Sequence, residues 1–257
     1  MEARSKLSLN EQLELDCEVY NRRPGYLQSY DCADCLNRGY IYVVRDNEIV
    51  QRQCKCIPVR NSLLRIENSG LKNLMAEYTF DNYQTTEPWQ KAVKDKALVY
   101  IADPSDRWFF VGGQVGSGKT HICTALTGEL LKGGKSAKYM LWRDEAASLK
   151  ASVTDEGYEA KLKPYKTVPV LYIDDFLKVA RGASACPTQG DLNLAFEIIN
   201  GRYNNRDLIT IISSEHNIDA LLAFDEAVGS RIYDRSKGYC TNIPYTQSAN
   251  YRLKGRK

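Results

Sequence analysis

Long apolar runs are missing from this sequence, so no segment reads as a bilayer-crossing helix, and no signal peptide opens it. A large excess of one charge is missing too: a formal net charge of +3 over 257 residues is too small to imply a nucleic-acid partner by itself. Repeats and low-complexity tracts are absent. An evenly spaced cysteine framework is also lacking, since Cys32, Cys35, Cys54 and Cys56 crowd one short window while Cys17, Cys123, Cys186 and Cys240 are scattered. A cytoplasmic chain with reduced thiols is expected, and in such a chain the crowded four read as a metal site rather than as disulfides. Hydrophobic residues still make up 43% of the chain, enough for a packed core, and the length allows one large domain or two unequal ones.

What is present centres on Trp108-Phe-Phe-Val-Gly-Gly-Gln-Val-Gly-Ser-Gly-Lys-Thr120. Gly113, Gln114, Val115, Gly116, Ser117, Gly118, Lys119 and Thr120 spell G-x-x-x-x-G-K-T, the phosphate-binding P-loop pattern, with His121 next in line. Trp108 to Val111 precede it as a buried strand would, and Ile122, Ala125, Leu126 and Leu130 follow on one helix face. The pattern carries weight only between a strand and a helix, and both flanks agree here. The glycines let the backbone aim N–H groups at phosphate oxygens, and the helix N-terminus adds partial positive charge. Lys119 is expected on the β- and γ-phosphates of ATP, and the Thr120 hydroxyl on Mg2+.

Downstream, Val168-Pro-Val-Leu-Tyr-Ile-Asp-Asp175 is an apolar strand ending in two carboxylates. Asp174 is expected in the Mg2+ shell, and Asp175 is expected to orient or deprotonate the attacking water. Leu208 to Ile212 form another buried strand, ending in Ser213-Ser214-Glu215. Ser214 is the choice there for a hydroxyl near the γ-phosphate; the bland alternative is a serine capping the next turn. Arg231 and Arg235, four apart, share one helix face. A helix over Pro88–Ile101 should turn Trp89, Ala92, Ala97, Leu98 and Ile101 inward, with Phe80 or Tyr83 near an adenine or simply in the core. Ala137–Trp142 reads as a strand, Asp144 as the cap of a helix carrying Ala146, Leu149 and Ala151, Asp191–Tyr203 as a helix and Tyr239–Ile243 as the last strand. This alternation gives an α/β fold with a mostly parallel sheet, helices on both faces and nucleotide at the C-terminal strand ends. Arg143, Lys150, Lys161, Lys163 and Lys166 make one region basic, and Arg143, Lys150 and Lys161, with Tyr158 as a stacking platform, are candidates for single-stranded DNA or for a solvated basic face.

The N-terminal part has a different logic. Cys32-Ala-Asp-Cys35 is a C-x2-C knuckle, Tyr40 to Arg52 reads as a hairpin turning at Asp46-Asn47, and Cys54-Lys-Cys56 follows. Four thiolates would close a tetrahedral structural Zn2+ site and supply most of the folding free energy of a segment with little apolar core. They could also hold an iron–sulfur cluster, or stay reduced without metal. Residues 57–75 look like a partly helical connector punctuated at Gly70. The expected division is 1–75 for a zinc-binding domain with its linker and 76–257 for the nucleotide domain.

Over residues 76–257 the chain resembles the helicase loaders of the DnaC/DnaI type, AAA+ ATPases related to the transposition helper IstB. The likeness rests on Gly113–Thr120, Leu171–Asp175, Ile211–Ser214 and Gly229-Ser-Arg-Ile-Tyr-Asp-Arg235, and the cysteine spacing is similar to that of prophage loaders. The resemblance implies a lidless AAA+ core, an arginine finger at Arg235 or Arg231 and a sensor arginine at Arg252. It also implies a cysteine-rich domain that docks on a DnaB-type hexameric helicase, ATP-driven self-assembly, single-stranded DNA as a ligand and helicase release on hydrolysis. Two departures stand out: the second Walker B acid is Asp175 where Glu is commoner, which suggests slow hydrolysis, and Ser213-Ser214-Glu215 replaces a Thr/Ser-Asn pattern. The rival readings are an IstB-like partner of a transposase, a metabolic P-loop kinase and a non-hydrolysing ATP-switched adaptor.

Overall fold

The computed structural model describes residues 7–28, 30–68, 71–104, 107–179, 186–246 and 250–251. Gly70, Gly182 and Arg252 lie outside them. The chain divides into two compact units, Met1–Leu64 and Arg65–Lys257, so the division falls eleven residues before the expected linker end at 75.

In the first unit, helix α1 (Leu9–Asn21) starts with a capping box: the Ser8 side chain accepts from Glu11 N–H, and the Glu11 carboxylate accepts from Ser8 N–H at 2.7 Å. Strands β1 (Tyr40–Arg45) and β2 (Glu48–Gln53) pair antiparallel with Arg45 opposite Glu48. Asp46 and Asn47 have φ of 52° and 59°, the left-handed pair a tight two-residue hairpin needs and that these short polar residues tolerate. Asn21 fastens α1 to the hairpin, donating to the Tyr42 carbonyl at 2.8 Å and accepting from Tyr42 N–H at 2.9 Å. Helix α2 (Cys56–Asn68) begins at the fourth clustered cysteine and runs into the second unit.

The second unit holds α3 (Leu71–Glu77), α4 (Pro88–Ala102), β3 (Phe109–Gly113), α5 (Lys119–Lys132), β4 (Ala137–Leu141), α6 (Trp142–Ala151) and α7 (Tyr158–Thr167). It continues through β5 (Val170–Asp174), α8 (Gln189–Tyr203), β6 (Ile209–Ser214), α9 (Ile218–Phe224), α10 (Glu226–Arg235) and β7 (Cys240–Ile243). Among the described residues its sheet has five strands in the order β4-β5-β6-β3-β7, with every neighbouring pair parallel. β3, β5 and β6 are buried along their whole length, as strands covered on both faces must be. Leu171, Ile173, Phe110 and Ile212 face a core completed by Trp142, Leu149, Leu194, Ile198, Val228 and Ile232 from α6, α8 and α10. On the other face α5 packs over β5 and β6, flanked by α3 and α4.

Local departures from the sequence reading have simple causes. α4 turns Gln90, Val93, Ala97 and Tyr100 inward and leaves Ala92 and Leu98 exposed. Pro88 fixes the helix start, and Gln90 buries its carbonyl oxygen as a cap on Glu87 N–H at 2.9 Å, so the inward stripe is rotated. Trp142 opens α6 rather than ending β4, Leu141 occupies the cap position, Asp144 sits in the first helical turn and Ala151 is exposed.

Gly113 ends β3 at φ 119°, and a Cβ there would lie 2.1 Å from the Ile243 carbonyl oxygen of β7. Gly134, at φ 86° after α5, has nothing within 4 Å of the same position. Gly134→Ala should therefore cost only the left-handed backbone penalty of about 1–2 kcal/mol. Gly113→Ala must also push β7 away from β3, and urea unfolding should show it to be clearly the more destabilising of the two; equal midpoints would contradict this close approach.

Candidate functional site

The loop between β3 and α5 is built from left-handed glycines: Gly113, Gly116 and Gly118 have φ of 119°, 74° and 85°. Gly118 occupies the α5 cap position with no side chain of its own to cap the helix, so the first N–H groups of α5 are left for a ligand. Lys119 is 6% exposed, and its ammonium donates to the carbonyls of Gly113 at 2.9 Å and Gln114 at 2.7 Å. Burial lowers its pKa, while Glu215, Asp175 and Asp174 act in the opposite direction. The loop is closed from the far side by Tyr251, whose N–H donates to the Gly116 carbonyl at 2.9 Å.

Asp174 is the hub of the site. Its Oδ1 accepts from Thr120 Oγ1 at 3.1 Å, from Asp175 N–H at 3.1 Å and from the Ser213 hydroxyl in a short bond; its Oδ2 accepts from Tyr139 at 3.2 Å. Burial raises the Asp174 pKa, with the bonds from Ser213 and Thr120 opposing the rise. Asp175 lies beyond the strand end at φ 54° and receives Lys178 Nζ at 2.8 Å. The same ammonium reaches Glu215 at 2.7 Å.

A cavity of about 280 Å3 lies over this wall, lined by Val115–His121, Asp175, Lys178, Glu215, Tyr251 and the aromatic pair Tyr78 and Tyr83. Tyr78 stacks on His121 with centroids 4.7 Å apart and Tyr83 meets the same ring edge-on. The Tyr83 hydroxyl is buried without a hydrogen-bond partner among the described residues, a polar atom left for a ligand. Phe80 does not line the cavity.

Two expectations need correction. Ser214 is fully buried, donates to the Phe176 carbonyl at 2.8 Å and accepts from His216 N–H at 3.1 Å, so its hydroxyl is used in holding a turn; Ser213, one residue earlier, touches the Asp174 carboxylate instead. Arg235 is also fully buried. Its guanidinium lies 5.0 Å from the Trp108 ring centroid and donates to the carbonyls of Arg202, Tyr203, Asn205 and Leu208. It ties the end of α8 to the start of β6, and a side chain so enclosed does not reach a neighbouring subunit. Arg231 is half-buried over the Phe196 and Tyr203 rings and donates to the Ala227 carbonyl at 2.8 Å.

In the candidate DNA segment Lys150 pairs with Asp191, Lys161 with Asp155, Lys166 with Glu159 and Glu197, and Tyr158 donates to Glu197. In the first unit, the sulfurs of Cys32, Cys35, Cys54 and Cys56 all lie within 4.8 Å of one another and all four residues are buried. The Cys32–Cys54 and Cys35–Cys56 sulfurs are 3.7 and 3.6 Å apart, and Gly39 N–H donates to Cys35 Sγ at 3.3 Å. Zn–S bonds of about 2.3 Å in a tetrahedron place sulfurs about 3.8 Å apart, so the donor set fits zinc.

The model of the IstB-like ATP binding protein family matches residues 38–257. The chain belongs to that family. Phage-like element PBSX protein XkdC of Bacillus subtilis (strain 168) is similar to it at 32% identity over 238 residues, 88% of this chain and 87% of that protein. The solved structure of the DnaC helicase loader superposes with a TM-score of 0.55 at 26% identity, covering 63% of this chain and 95% of its own. That of DnaI superposes with a TM-score of 0.54 at 21% identity, covering 68% and 92%, a likeness of fold. The family member's fold is thus that of AAA+ loaders, and no helix among the described residues is long and apolar enough to cross a membrane.

The buried Arg235 has a consequence for stability. Arg235→Met takes the guanidinium donor from the Tyr203 carbonyl, while the carbonyls of Arg202, Asn205 and Leu208 keep donors from Asn205 N–H, Leu208 N–H and the Trp108 indole. Losing a buried hydrogen-bonding partner costs about 1–3 kcal/mol, and the stacking on Trp108 is lost with it. The variant should unfold at markedly lower urea concentration, and Arg235→Lys should not restore it because an ammonium cannot reproduce the planar fork. Unchanged unfolding of Arg235→Met would contradict the structural role.

Proposed function

We propose that the chain is an ATP-dependent loader of a DnaB-type hexameric helicase, with the ATP site in the second unit and the zinc unit as the helicase-docking part. The observation that carries the reading is the Thr120–Asp174 contact beneath the P-loop cavity, in a fold like that of the DnaC helicase loader. Thr120 and Asp174 would hold Mg2+, which supplies charge neutralisation at the β- and γ-phosphates. Lys119 would exchange its two carbonyl partners for phosphate oxygens, and the first turn of α5 would offer N–H groups to them. Asp175 orients the attacking water, Ser213 and Tyr139 keep Asp174 in place, and Tyr78 with Tyr83 forms the wall nearest a base. Arg231 takes the role of an arginine acting across subunits in an ATP-driven assembly, since Arg235 is enclosed. Single-stranded DNA belongs to this reading as the ligand on which the helicase is placed. Arg252 retains the sensor role the resemblance implies. Cys32, Cys35, Cys54 and Cys56 would hold Zn2+ in a closed structural site.

A second reading, an ATPase assisting a transposase, is favoured by the IstB-like family match itself. Co-purification separates them: the tagged chain should retain the replicative helicase of its host, and recovery of a transposase in its place would overturn the loader assignment.

Within the ATP site, Lys119→Ala should abolish measurable ATP binding. Asp175→Asn should keep binding and remove hydrolysis, because metal holding and water activation reside on different carboxylates. Equal loss of both in Asp175→Asn would show that the roles are wrongly divided. In the zinc unit, the purified chain should carry a single zinc, and the double variant Cys32→Ser/Cys54→Ser should lose the metal and unfold that unit. Helicase binding should then fail while ATP binding survives, since the residues lining the ATP cavity all belong to the second unit. Helicase capture by metal-free chain would refute the docking role.

A further inference from the structure

We infer that Lys178 reads the γ-phosphate, making it the residue by which this pocket tells ATP from ADP. The inference rests on the nucleotide reading of the site and goes beyond it, because the P-loop lysine alone contacts a wall shared by both nucleotides.

Lys178 is three residues past Asp175, on a turn with two left-handed non-glycine residues, Asp175 at φ 54° and Leu177 at φ 56°. Such a turn persists only where surrounding contacts hold it. Here Phe176 N–H donates to the Ser213 carbonyl at 2.8 Å, Ser214 Oγ donates to the Phe176 carbonyl at 2.8 Å, and Phe176 and Leu177 are buried. The turn therefore brings the Lys178 side chain to the cavity wall with Asp175, facing the P-loop. Its ammonium bridges Asp175 at 2.8 Å and Glu215 at 2.7 Å, and all three side chains keep about a third of their surface open, at 31%, 27% and 27%. Burial lowers its pKa, but the two carboxylate bonds outweigh burial and hold it above the ordinary lysine value, so it is charged.

The charge arrangement fixes what this cation is for. Asp175 and Glu215 line the same cavity as Lys119 and the P-loop, and both carboxylates act on the Lys119 ammonium. A polyphosphate entering that cavity meets Lys119 on the loop and two carboxylates that would repel it without Lys178. The chain of contacts from Thr120 to Asp174, from Asp174 to Asp175 N–H and from Asp175 to Lys178 runs from the metal-holding hydroxyl outward. Lys178 is thus linked, contact by contact, to the residues that would hold the metal, and it lines the same cavity as the P-loop, where the group a triphosphate adds over a diphosphate would come within its reach. The two carboxylates hold the ammonium at the cavity wall, and with ATP it would turn to the γ-phosphate.

The test is calorimetry on the full chain with Mg2+ and either a non-hydrolysable ATP analogue or ADP. Lys178→Met should weaken the analogue by about tenfold or more, as expected for one charge-assisted contact, and change ADP affinity by less than about twofold. Lys178→Arg should keep the preference, because the charge stays. Glu215→Gln, which keeps the lysine and loosens its hold, should raise the preference for the triphosphate. Equal weakening of both nucleotides in Lys178→Met, or no change in either, overturns the inference, as does a reduced preference in Glu215→Gln. Failure of the unaltered chain to bind either nucleotide would instead sink the ATP reading, and this inference with it.

Discussion

Asp174 is 4% exposed, and a carboxylate removed from water is costly unless hydrogen bonds replace its hydration. The fold supplies four donors: Thr120 from α5, Tyr139 from β4, Ser213 from β6 and the Asp175 amide. Each comes from a different segment, so satisfying one buried anion fixes the relative height of β4, β5, β6 and the first turn of α5. The P-loop is then anchored through Thr120 to that carboxylate, and Lys119 and Lys178 both line the cavity beside it. A divalent cation would relieve the same anion, which makes the structural constraint and the proposed chemistry one feature. Burial still raises the Asp174 pKa, with the bonds from Ser213 and Thr120 opposing it.

The two units are stabilised by different means. The second unit buries a continuous apolar layer from Trp108 to Ile232 and needs no further crosslink. The first has a half-buried hairpin and a helix fastened through polar groups: Asn21 to Tyr42, Arg38 to the carbonyls of Tyr20, Asn21 and Arg23, and Arg60 to Asn37. Asn37, itself left-handed at φ 67°, accepts from Cys32 N–H at 2.9 Å and so shapes the knuckle that brings the first two thiols together. Its buried apolar surface is largely cysteine, which is why metal binding would count for so much of its folding.

Most of this was legible because periodicity and motif spacing are local. The hairpin at Asp46-Asn47, the strand–loop–helix around Lys119 and the parallel sheet follow from residues that see only their neighbours. The misreadings are of a different kind. Ser213 and Ser214 are equivalent as composition, and only the pairing of Ile173 with Ile212 sets Ser213 beside Asp174. β6 is buried at every position, so alternation along it does not tell the two serines apart. Arg231 and Arg235 share a helix face, but Arg235 is enclosed by Trp108 and by the carbonyls around the end of α8, which sequence spacing does not reveal. The basic run after Trp142 reads as one patch in the chain, whereas in the fold Asp191 and Glu197 arrive from α8 to pair with Lys150 and Lys166. Lys178 and Glu215 were hidden for the same reason, lying 37 positions apart in sequence yet in direct contact.

The choice of aspartate at 175 follows from the backbone that carries it. With φ at 54° the residue sits in the left-handed region, where Asp and Asn are several-fold enriched because their short polar side chains bond locally. Glutamate gains less there, and its longer chain would compete with Lys178 for the same space. The turn that requires Asp also aims Lys178 at the cavity, and Glu215 on the neighbouring strand end supplies the longer carboxylate on the other side of that ammonium. The short acid on the left-handed turn, the lysine it holds and the acid at the Ser-Ser-Glu strand tip thus form one contact set, in which Lys178 bridges Asp175 and Glu215 next to the buried Asp174.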